Sequence, residues 1–253
     1  MLIDTHAHLN DERLYPLRAD IVSRMEECNL ESIINVGYDR ASSELALSIA
    51  KEYEKLYAVV GIHPHDAKTA TEEDYRYFES VSTDKKVVAI GEIGLDFYYD
   101  LSDREVQKRV FIEQLELAHS LKLPVVMHVR DAYGLALEIL KEHKRFLEYG
   151  GVMHCYAGSK ELLRDFVDLG LHASFGGVIT FKNFQKSEVV KSCPEDRLLL
   201  ETDCPYMTPV PHRGKTNLPE YVSLVRDKIQ EWRPEMDVER VTTENAKRLF
   251  KIL

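Results

Sequence analysis

Histidines and acids recur in this chain where apolar, strand-like runs end, and such side chains can bind metal ions. The first run, over residues 2–9, carries Asp4, His6 and His8 at alternate positions. Strand side chains alternate between two faces, so these three are predicted to point the same way. Imidazole is the commonest metal ligand in proteins, so this stretch is compatible with a metal site. A pair of surface histidines on an edge strand explains it equally well, so the rest of the chain has to decide.

The same pattern appears at the ends of later runs. The side chains concerned are His63, Glu92, His128, His154 and Asp203. An unpaired acid inside an apolar run such as residues 87–94 is costly to bury, and metal ligation removes that penalty. A metal site therefore explains these residues, together with His6 and His8, better than packing does.

The elements that must position these side chains alternate between strands and helices. Apolar runs predict eight strands, over residues 2–9, 32–37, 56–63, 87–94, 124–129, 151–156, 171–177 and 197–203. Helical periodicity separates them, with Asp103 and Ser159 as predicted N-caps. This alternation predicts an α/β fold, a (β/α)8 TIM barrel with one domain over residues 1–253. In that fold the C-terminal strand ends converge on the face where active sites are built.

Composition excludes several classes of protein. The net charge of −10 argues against a broad basic surface for nucleic acid, although metal ions in a cleft can attract a phosphate-bearing substrate. The sequence contains no apolar run long enough to span a bilayer and no signal-peptide pattern, so we expect a cytoplasmic protein without a membrane partner. The four cysteines are widely spaced, which predicts reduced thiols.

The chain resembles the TatD-type deoxyribonucleases, metal-dependent phosphodiesterases of the amidohydrolase barrel superfamily. The motifs that carry the resemblance are IDTHAHL, GIHPH, IGEIGLD, PVVMHVRD, MHCYAGS and LLETDCPYMTP, in the family's order. The resemblance runs from Ile3 to the loop around Asn217 and to NAKRLF near the C-terminus. The loop HRGKTNLP is similar to the family's RGKxNEP pattern but has Leu218 where an acid is common.

The resemblance implies two divalent metal ions as cofactors. The ligands would be His6, His8 and Asp203 for the first ion and His128 and His154 for the second, with Glu92 bridging them. A bridging carboxylate lets two cations lie about 3.5–4 Å apart, which suits an in-line phosphoryl displacement by an activated water. Imidazole and carboxylate ligands suit Zn, Mn, Ni or Fe, and Mg fits if the ions exchange.

Some of these residues are predicted to have further roles. Glu92 and Asp203 would be catalytic as well as metal ligands, with Asp203 accepting a proton from the water. His63 is predicted to contact substrate at the scissile phosphate, or else to support a ligand. Asp4 and Glu201 are predicted to orient ligands, the alternatives being a role in the barrel floor for Asp4 and an ion pair with a core cation for Glu201.

Substrate contacts are predicted on the loop after the last strand. Arg213 suits a phosphate, because a guanidinium matches phosphate oxygens well. Arg130 is a second candidate, unless it pairs with Asp131. Tyr206 is predicted to stack on a base, although packing is the alternative explanation.

Three functions remain open at this stage. The resemblance favours a DNase, a phosphodiesterase that trims single strands exonucleolytically, with DNA ends or another phosphodiester or ester as partner. The alternative is an amidohydrolase-type ester or amide hydrolase with the same site, for example one that deacylates mischarged aminoacyl-tRNA. A catalytically idle metal-binding protein is the third. No stable protein partner is evident from the sequence.

Overall fold

Eight parallel strands form one sheet in the computed structural model, which describes residues 1–252. Neighbours in the sheet are neighbours in the chain, from first to last. The strands are β1 (Leu2–Ala7), β2 (Leu30–Val36), β3 (Leu56–Val60), β4 (Val87–Asp96), β5 (Val125–Arg130), β6 (Gly151–Met153), β7 (His172–Phe175) and β8 (Leu198–Leu200).

The sheet closes into a barrel where the segment after β8 meets β1. Ala7 and Cys204 form a parallel bridge. The amide of Asp203 donates to the carbonyl of His6 at 2.9 Å, and the amide of His8 donates to the carbonyl of Cys204 at 2.8 Å. The two chain segments that carry candidate metal ligands are therefore joined by the closure of the barrel itself.

Helices alternate with the strands, which confirms the predicted (β/α)8 TIM barrel. They are α1 (Arg18–Ser23), α2 (Arg40–Glu52), α3 (Glu72–Val81), α4 (Arg104–Leu121), α5 (Tyr133–Glu142), α6 (Lys160–Asp168), α7 (Ser187–Ser192), α8 (Val222–Trp232) and α9 (Val238–Phe250). The predicted N-caps are confirmed, because Asp103 accepts from the amide of Glu105 and Ser159 from that of Leu162. None of the helices in residues 1–252 is both long and apolar enough to cross a bilayer.

Two apolar clusters hold these layers together. The larger one packs the outward strand faces against the helices. The smaller one joins residues of the strands to α9, and includes Val126, Val152 and Leu199 with Leu249 and Phe250. Burying apolar side chains such as these stabilises the fold by about 1.5–3 kcal/mol each. Helix α9 therefore helps to close the barrel interior on the side opposite the candidate site.

Most strands end earlier than the sequence predicts. The structure ends β3 at Val60, β6 at Met153 and β8 at Leu200, so His63, His154 and Asp203 lie in the loops that follow. Side chains just beyond the C-terminal strand ends line the face on which barrel active sites are built. The predicted set consequently meets on one face of the barrel, above the apolar interior.

Candidate metal centre

His6, His8 and Asp203 form the first group of potential ligands. Their metal-binding atoms all lie within 4.8 Å of one another. The Nε2 atoms of His6 and His8 are 3.2 Å apart, and the Oδ1 atom of Asp203 is 3.4 Å from Nε2 of His8. The sequence-based prediction grouped the same three residues.

Glu92 lies at the centre of the remaining histidines. Its Oε2 atom is 3.4 Å from Nε2 of His6. Its Oε1 atom is 3.0 Å from Nδ1 of His128, 3.2 Å from Nε2 of His154 and 3.6 Å from Nε2 of His63. One oxygen of the carboxylate thus faces the first group of ligands, and the other faces a second set of imidazoles.

His63 is as well placed for metal binding as the histidines that the resemblance implies. Two further groups have the spacing of a metal site, one formed by His6, Glu92 and His154 and the other by His63, Glu92 and His128. The sequence-based interpretation paired His128 with His154 and kept His63 for the substrate. Its position beside Oε1 of Glu92 leaves both roles open to His63.

The chemistry of this donor set fits divalent cations. Glu92 and Asp203 are both buried, with 5% and 13% of their side chains exposed. Their ion-pair partners among residues 1–252 are histidines, and no Lys or Arg nitrogen lies within 4.0 Å of either. Buried carboxylates need a compensating positive charge, which metal ions would provide.

Burial and charge act in opposite directions on the titration of the cluster. Burial raises the pKa of Glu92, but the neighbouring imidazoles, His154 first, outweigh it, so the pKa of Glu92 lies well below its usual value. Burial lowers the pKa of His154, but the carboxylates of Glu201 and Glu92 raise it well above the usual value. Burial and the charge of His128 lower the pKa of His63. The pKa shifts of the imidazoles in this cluster thus differ in direction.

Glu201 lies beside the ring nitrogen of His154 that does not face Glu92, and its predicted role in orienting a ligand stays a prediction. Its Oε1 atom is 3.3 Å from Nδ1 of His154 and accepts a hydrogen bond from the amide of Cys155 at 2.6 Å. The Nε2 atom of His154 meanwhile faces Glu92. A carboxylate behind an imidazole fixes the orientation of the ring and which nitrogen is free to bind a metal.

Asp4 contacts the backbone beside a candidate ligand rather than an imidazole. Its carboxylate accepts from the hydroxyl of Thr202 at 2.6 Å, from the amide of Thr202 at 2.9 Å and from the amide of His6 at 3.3 Å. Burial raises the pKa of Asp4 to about 8, although these hydrogen bonds lower it. Asp4 therefore holds the segment that carries Asp203, instead of directing a ring.

Asp96, the last residue of β4, is a site residue that the sequence-based reasoning did not identify. Its Oδ2 atom is 2.9 Å from Nε2 of His128 and 2.9 Å from Nε2 of His65. Asp96 is fully buried, and although burial raises its pKa, the bonds from His128 and the Tyr99 amide lower it below the usual value. The signal was present, because Asp96 and Glu92 stand four residues apart and share parity in one apolar strand.

The two substrate residues predicted on the long loop differ in position. The ring of Tyr206 lies 6.2 Å from that of His8, and 47% of the residue is exposed. The guanidinium of Arg213 lies 3.9 Å from the centre of the Phe181 ring and donates to the carbonyl of Thr208 at 2.9 Å. Tyr206 thus borders the cluster, while Arg213 is turned onto its own loop.

Known proteins resemble this chain over its whole length. The family model described as TatD related DNase matches residues 3–251. YabD of Bacillus subtilis (strain 168), described as an uncharacterized metal-dependent hydrolase, is 46% identical over 256 residues, covering all of both chains. A TatD from Cronobacter sakazakii, described as a 3'-5' ssDNA/RNA exonuclease, is 33% identical over 241 residues, covering 92% of this chain and 91% of the relative.

A solved structure shares the arrangement of the barrel. The crystal structure of YJJV, a TatD homolog from Escherichia coli K12, matches with a TM-score of 0.93 at 30% identity. The match covers 100% of this chain and 98% of the other.

Proposed function

The chain belongs to the TatD-related DNase family and is a metal-dependent hydrolase, and we propose that it degrades single-stranded nucleic acid from one end. The family description names a DNase, an enzyme that hydrolyses the phosphodiester bonds of DNA. The proposal is also supported by a relative described as a 3'-5' ssDNA/RNA exonuclease.

The position of Glu92 is the observation that supports this proposal most strongly. One carboxylate oxygen faces His6 at 3.4 Å, and the other faces His128 and His154 at 3.0 and 3.2 Å. A carboxylate between two groups of ligands suits a pair of cations, the arrangement that stabilises both the attacking and the leaving oxygen in phosphoryl transfer.

We propose the following ligands for the two ions, whose identity stays open among Zn, Mn, Ni and Mg. His6, His8 and Asp203 would hold one ion. As the resemblance implies, His128 and His154 would hold the other and Glu92 would be shared between the two ions. His63 could replace His154, because His63, Glu92 and His128 have the spacing of a metal site. When bound, the ions would supply positive charge to the phosphate and lower the pKa of a water molecule.

The residues of the chain would then orient the reactants and move the proton. We propose that Asp203 accepts the proton of the attacking water, because its carboxylate is more exposed than that of Glu92. His63, with 10% of its side chain exposed, would contact the scissile phosphate. Tyr206 borders the cluster and would contact a neighbouring nucleotide. Arg213 would have to leave Thr208 to reach a phosphate.

A time course on single-stranded DNA tests the proposal. Two oligonucleotides, labelled at the 5' or the 3' end, are incubated with the protein and Mn²⁺ or Mg²⁺. Glu92→Gln and a chelated sample serve as negative controls. Glu116→Gln is the matched control, because Glu116 is exposed on α4. We expect a metal-dependent ladder that shortens from one end for the wild type and Glu116→Gln, and intact oligonucleotide for Glu92→Gln.

One outcome would redirect the proposal. If the wild type binds metal but leaves every oligonucleotide intact, phosphodiester hydrolysis is wrong for this chain. The same protein would then be tested on an aminoacyl ester and a cyclic amide, which amidohydrolase-type barrels also cleave.

A further inference from the structure

Two exposed tyrosines follow Phe97, the residue after β4, and lie beside the candidate metal centre. Tyr98 is 57% exposed and Tyr99 is 54% exposed. The amides of both donate to Oδ1 of Asp96, at 3.0 and 2.8 Å, while Oδ2 of Asp96 contacts His128. The tyrosine pair is therefore tied by its backbone to the carboxylate that holds a candidate ligand.

The ring of Tyr99 reaches furthest toward the cluster. Its centre lies 5.3 Å from the ring centre of His65, whose ring is 4.2 Å from that of His63. Tyr98 and Tyr99 are the most exposed of the large hydrophobic side chains in residues 1–252, and a tyrosine ring offers a large apolar face to a ligand. Exposure beside a site for phosphodiesters indicates a ligand that presents a flat apolar face.

Arg130, the last residue of β5, adds an available positive charge. Its guanidinium lies 3.8 Å from the ring centre of Tyr98 and 4.9 Å from that of Tyr99. Among residues 1–252, no carboxylate oxygen lies within 4.0 Å of its guanidinium, so the predicted alternative of an ion pair with Asp131 does not form. Arg13 makes a similar contact with Tyr206, but Asp11 neutralises it at 2.9 Å.

We propose that Tyr98, Tyr99 and Arg130 bind one unpaired nucleotide next to the bond that is cleaved. A base would stack on Tyr99, and Arg130, held against Tyr98, would donate to a backbone phosphate. This inference rests on the proposed function and identifies a part of the substrate that the site recognises. Stacking on a tyrosine accepts any base, and a guanidinium matches phosphate oxygens.

The arrangement favours single strands over duplexes. Bases within a duplex are stacked on each other, so their faces are not available to Tyr99. The chain has a net charge of −10, so a local guanidinium without a carboxylate partner matters for the approach of a polyanion.

A double comparison of protein and substrate tests the stacking contact. Wild type and Tyr99→Ala, both loaded with Mn²⁺, are assayed on a single-stranded oligonucleotide and on three versions with an abasic residue at the end or at the next two positions. KM and kcat are measured by cleavage, and binding by anisotropy.

Two further variants serve as controls. Tyr99→Phe keeps the aromatic face. Tyr149→Ala is the matched control, because Tyr149 lies 5.5 Å from Nζ of Lys251 just before β6, at the other end of the barrel.

We expect that removing the Tyr99 ring and removing one base each weaken substrate binding, and that the two effects do not add. Stacking energies of about 1–3 kcal/mol predict a rise in KM of about 5- to 140-fold for Tyr99→Ala on the intact strand. An abasic residue at one position should cause a similar rise in the wild type and no further rise in Tyr99→Ala. Tyr99→Phe and Tyr149→Ala should behave as the wild type.

Arg130 has a separate readout, the salt dependence of binding. Arg130→Gln should reduce the slope of log affinity against log salt by about 0.7, the value for one phosphate of a single strand, and Arg130→Lys should retain it. An unchanged slope would contradict the phosphate contact.

Failure of this inference is distinguishable from failure of the proposed function. If the wild type cleaves the strand but Tyr99→Ala responds to every abasic position as the wild type does, the stacking site is wrong and the nuclease remains. If no strand is cleaved but anisotropy shows two effects that do not add, the nucleotide site stands and the reaction is wrong.

Discussion

At the scale of single residues, how firmly a candidate histidine ligand is held in place depends on the imidazole nitrogen that does not face the metal site. Nδ1 of His8 lies 2.9 Å from the carbonyl oxygen of Val36, and Nε2 of His128 lies 2.9 Å from Asp96. Such contacts set ring orientation and raise the basicity of the nitrogen that binds the metal. His6 and His154 are different, because the buried Nδ1 atom of each has no hydrogen-bond partner, although that of His154 lies 3.3 Å from Oε1 of Glu201.

Replacing Asp96 with Asn should weaken the metal centre without removing a proposed ligand. The variant loses the negative charge behind His128, so we expect about a 10- to 100-fold loss of metal affinity. Titration calorimetry with Mn²⁺ measures this, with Asp100→Asn as the control, because Asp100 pairs with Arg104 at the surface. Equal affinity in the wild type and Asp96→Asn would show that Asp96 does not act through His128.

Residue types and order were sufficient to predict which side chains meet in the cluster, but not all of their contacts. Alternation predicted that Asp4 and His6 share a face, whereas the pairing of β1 with β2 shifts between Asp4 and Ala7. A register shift breaks strict alternation, which explains why Asp4 reaches Thr202 rather than a ring. His65 received no role because its partner, Asp96, lies 31 residues away in sequence.

At the scale of elements, β4 depends on a glycine to bring Glu92 and His128 together. Gly94 has a φ of +141° and pairs with His128 of β5. A Cβ atom at this position would lie 2.0 Å from the carbonyl oxygen of His128. The close approach of β4 to β5 therefore requires glycine, both for its backbone conformation and for space.

Gly94→Ala should destabilise the fold by about 3 kcal/mol or more, because relief of the clash must separate the two strands. Urea unfolding measures the change. Gly134→Ala is the matched control, since nothing lies within 4 Å of its Cβ position near the start of α5, and it should stabilise by up to about 1 kcal/mol. Similar stabilities for the two variants would contradict the close approach of β4 and β5.

His172, the first residue of β7, should make the free energy of unfolding fall at acidic pH. His172 is buried, and burial together with the charge of Arg197 lowers its pKa from 6.5 to about 4. As the pH falls below about 6.5 the unfolded chain binds a proton that the folded chain does not bind until about pH 4, so stability is lost in that interval. The loss should reach about 3 kcal/mol.

Urea unfolding at pH 7.5, 5.5 and 4.5 checks this expectation. His172→Gln should lose less stability than the wild type over the same range, because it removes the titrating group. His119→Gln serves as the control at a partly exposed histidine on α4. If His172→Gln and the wild type lose the same stability, His172 is not responsible.

The sequence predicted the number and order of strands better than their ends. The apolar pattern in the sequence continues beyond the last hydrogen bond between neighbouring strands. The sequence therefore predicts a strand that includes His154, whereas β6 ends at Met153. Where pairing ends depends on neighbouring strands, which local patterns do not describe. Prolines and polar residues predict a long loop over residues 204–218, and this stretch contains no helix or strand, although Cys204 forms an isolated bridge to Ala7.

At the scale of the whole molecule, the charge distribution restricts what can bind. The chain carries 43 acidic against 33 basic side chains, so a long polyanion gains little from its surface. The positive charge needed for a phosphate is concentrated at the C-terminal face of the barrel, through the proposed ions and Arg130. The excess of acidic side chains is visible in the composition, while the position of Arg130 over Tyr98 was not predictable from the sequence.

Binding to long duplex DNA should therefore be weak and sensitive to salt. Few phosphates would be neutralised outside the cleft, so retention should be lost on raising salt from about 50 to 200 mM. Anisotropy with a duplex and a single strand of equal length measures the difference, using metal-free protein. Tight, salt-resistant retention of the duplex would contradict this account of the surface.

The most direct test of the central claim is the number of metal ions bound to the wild type and to Glu92→Gln, measured by plasma mass spectrometry after dialysis against Mn²⁺ or Zn²⁺. The account predicts two ions per chain for the wild type and for the surface control Glu116→Gln, and the loss of at least one in Glu92→Gln. One ion or none in the wild type, or two ions retained in Glu92→Gln, would contradict a centre built around that carboxylate.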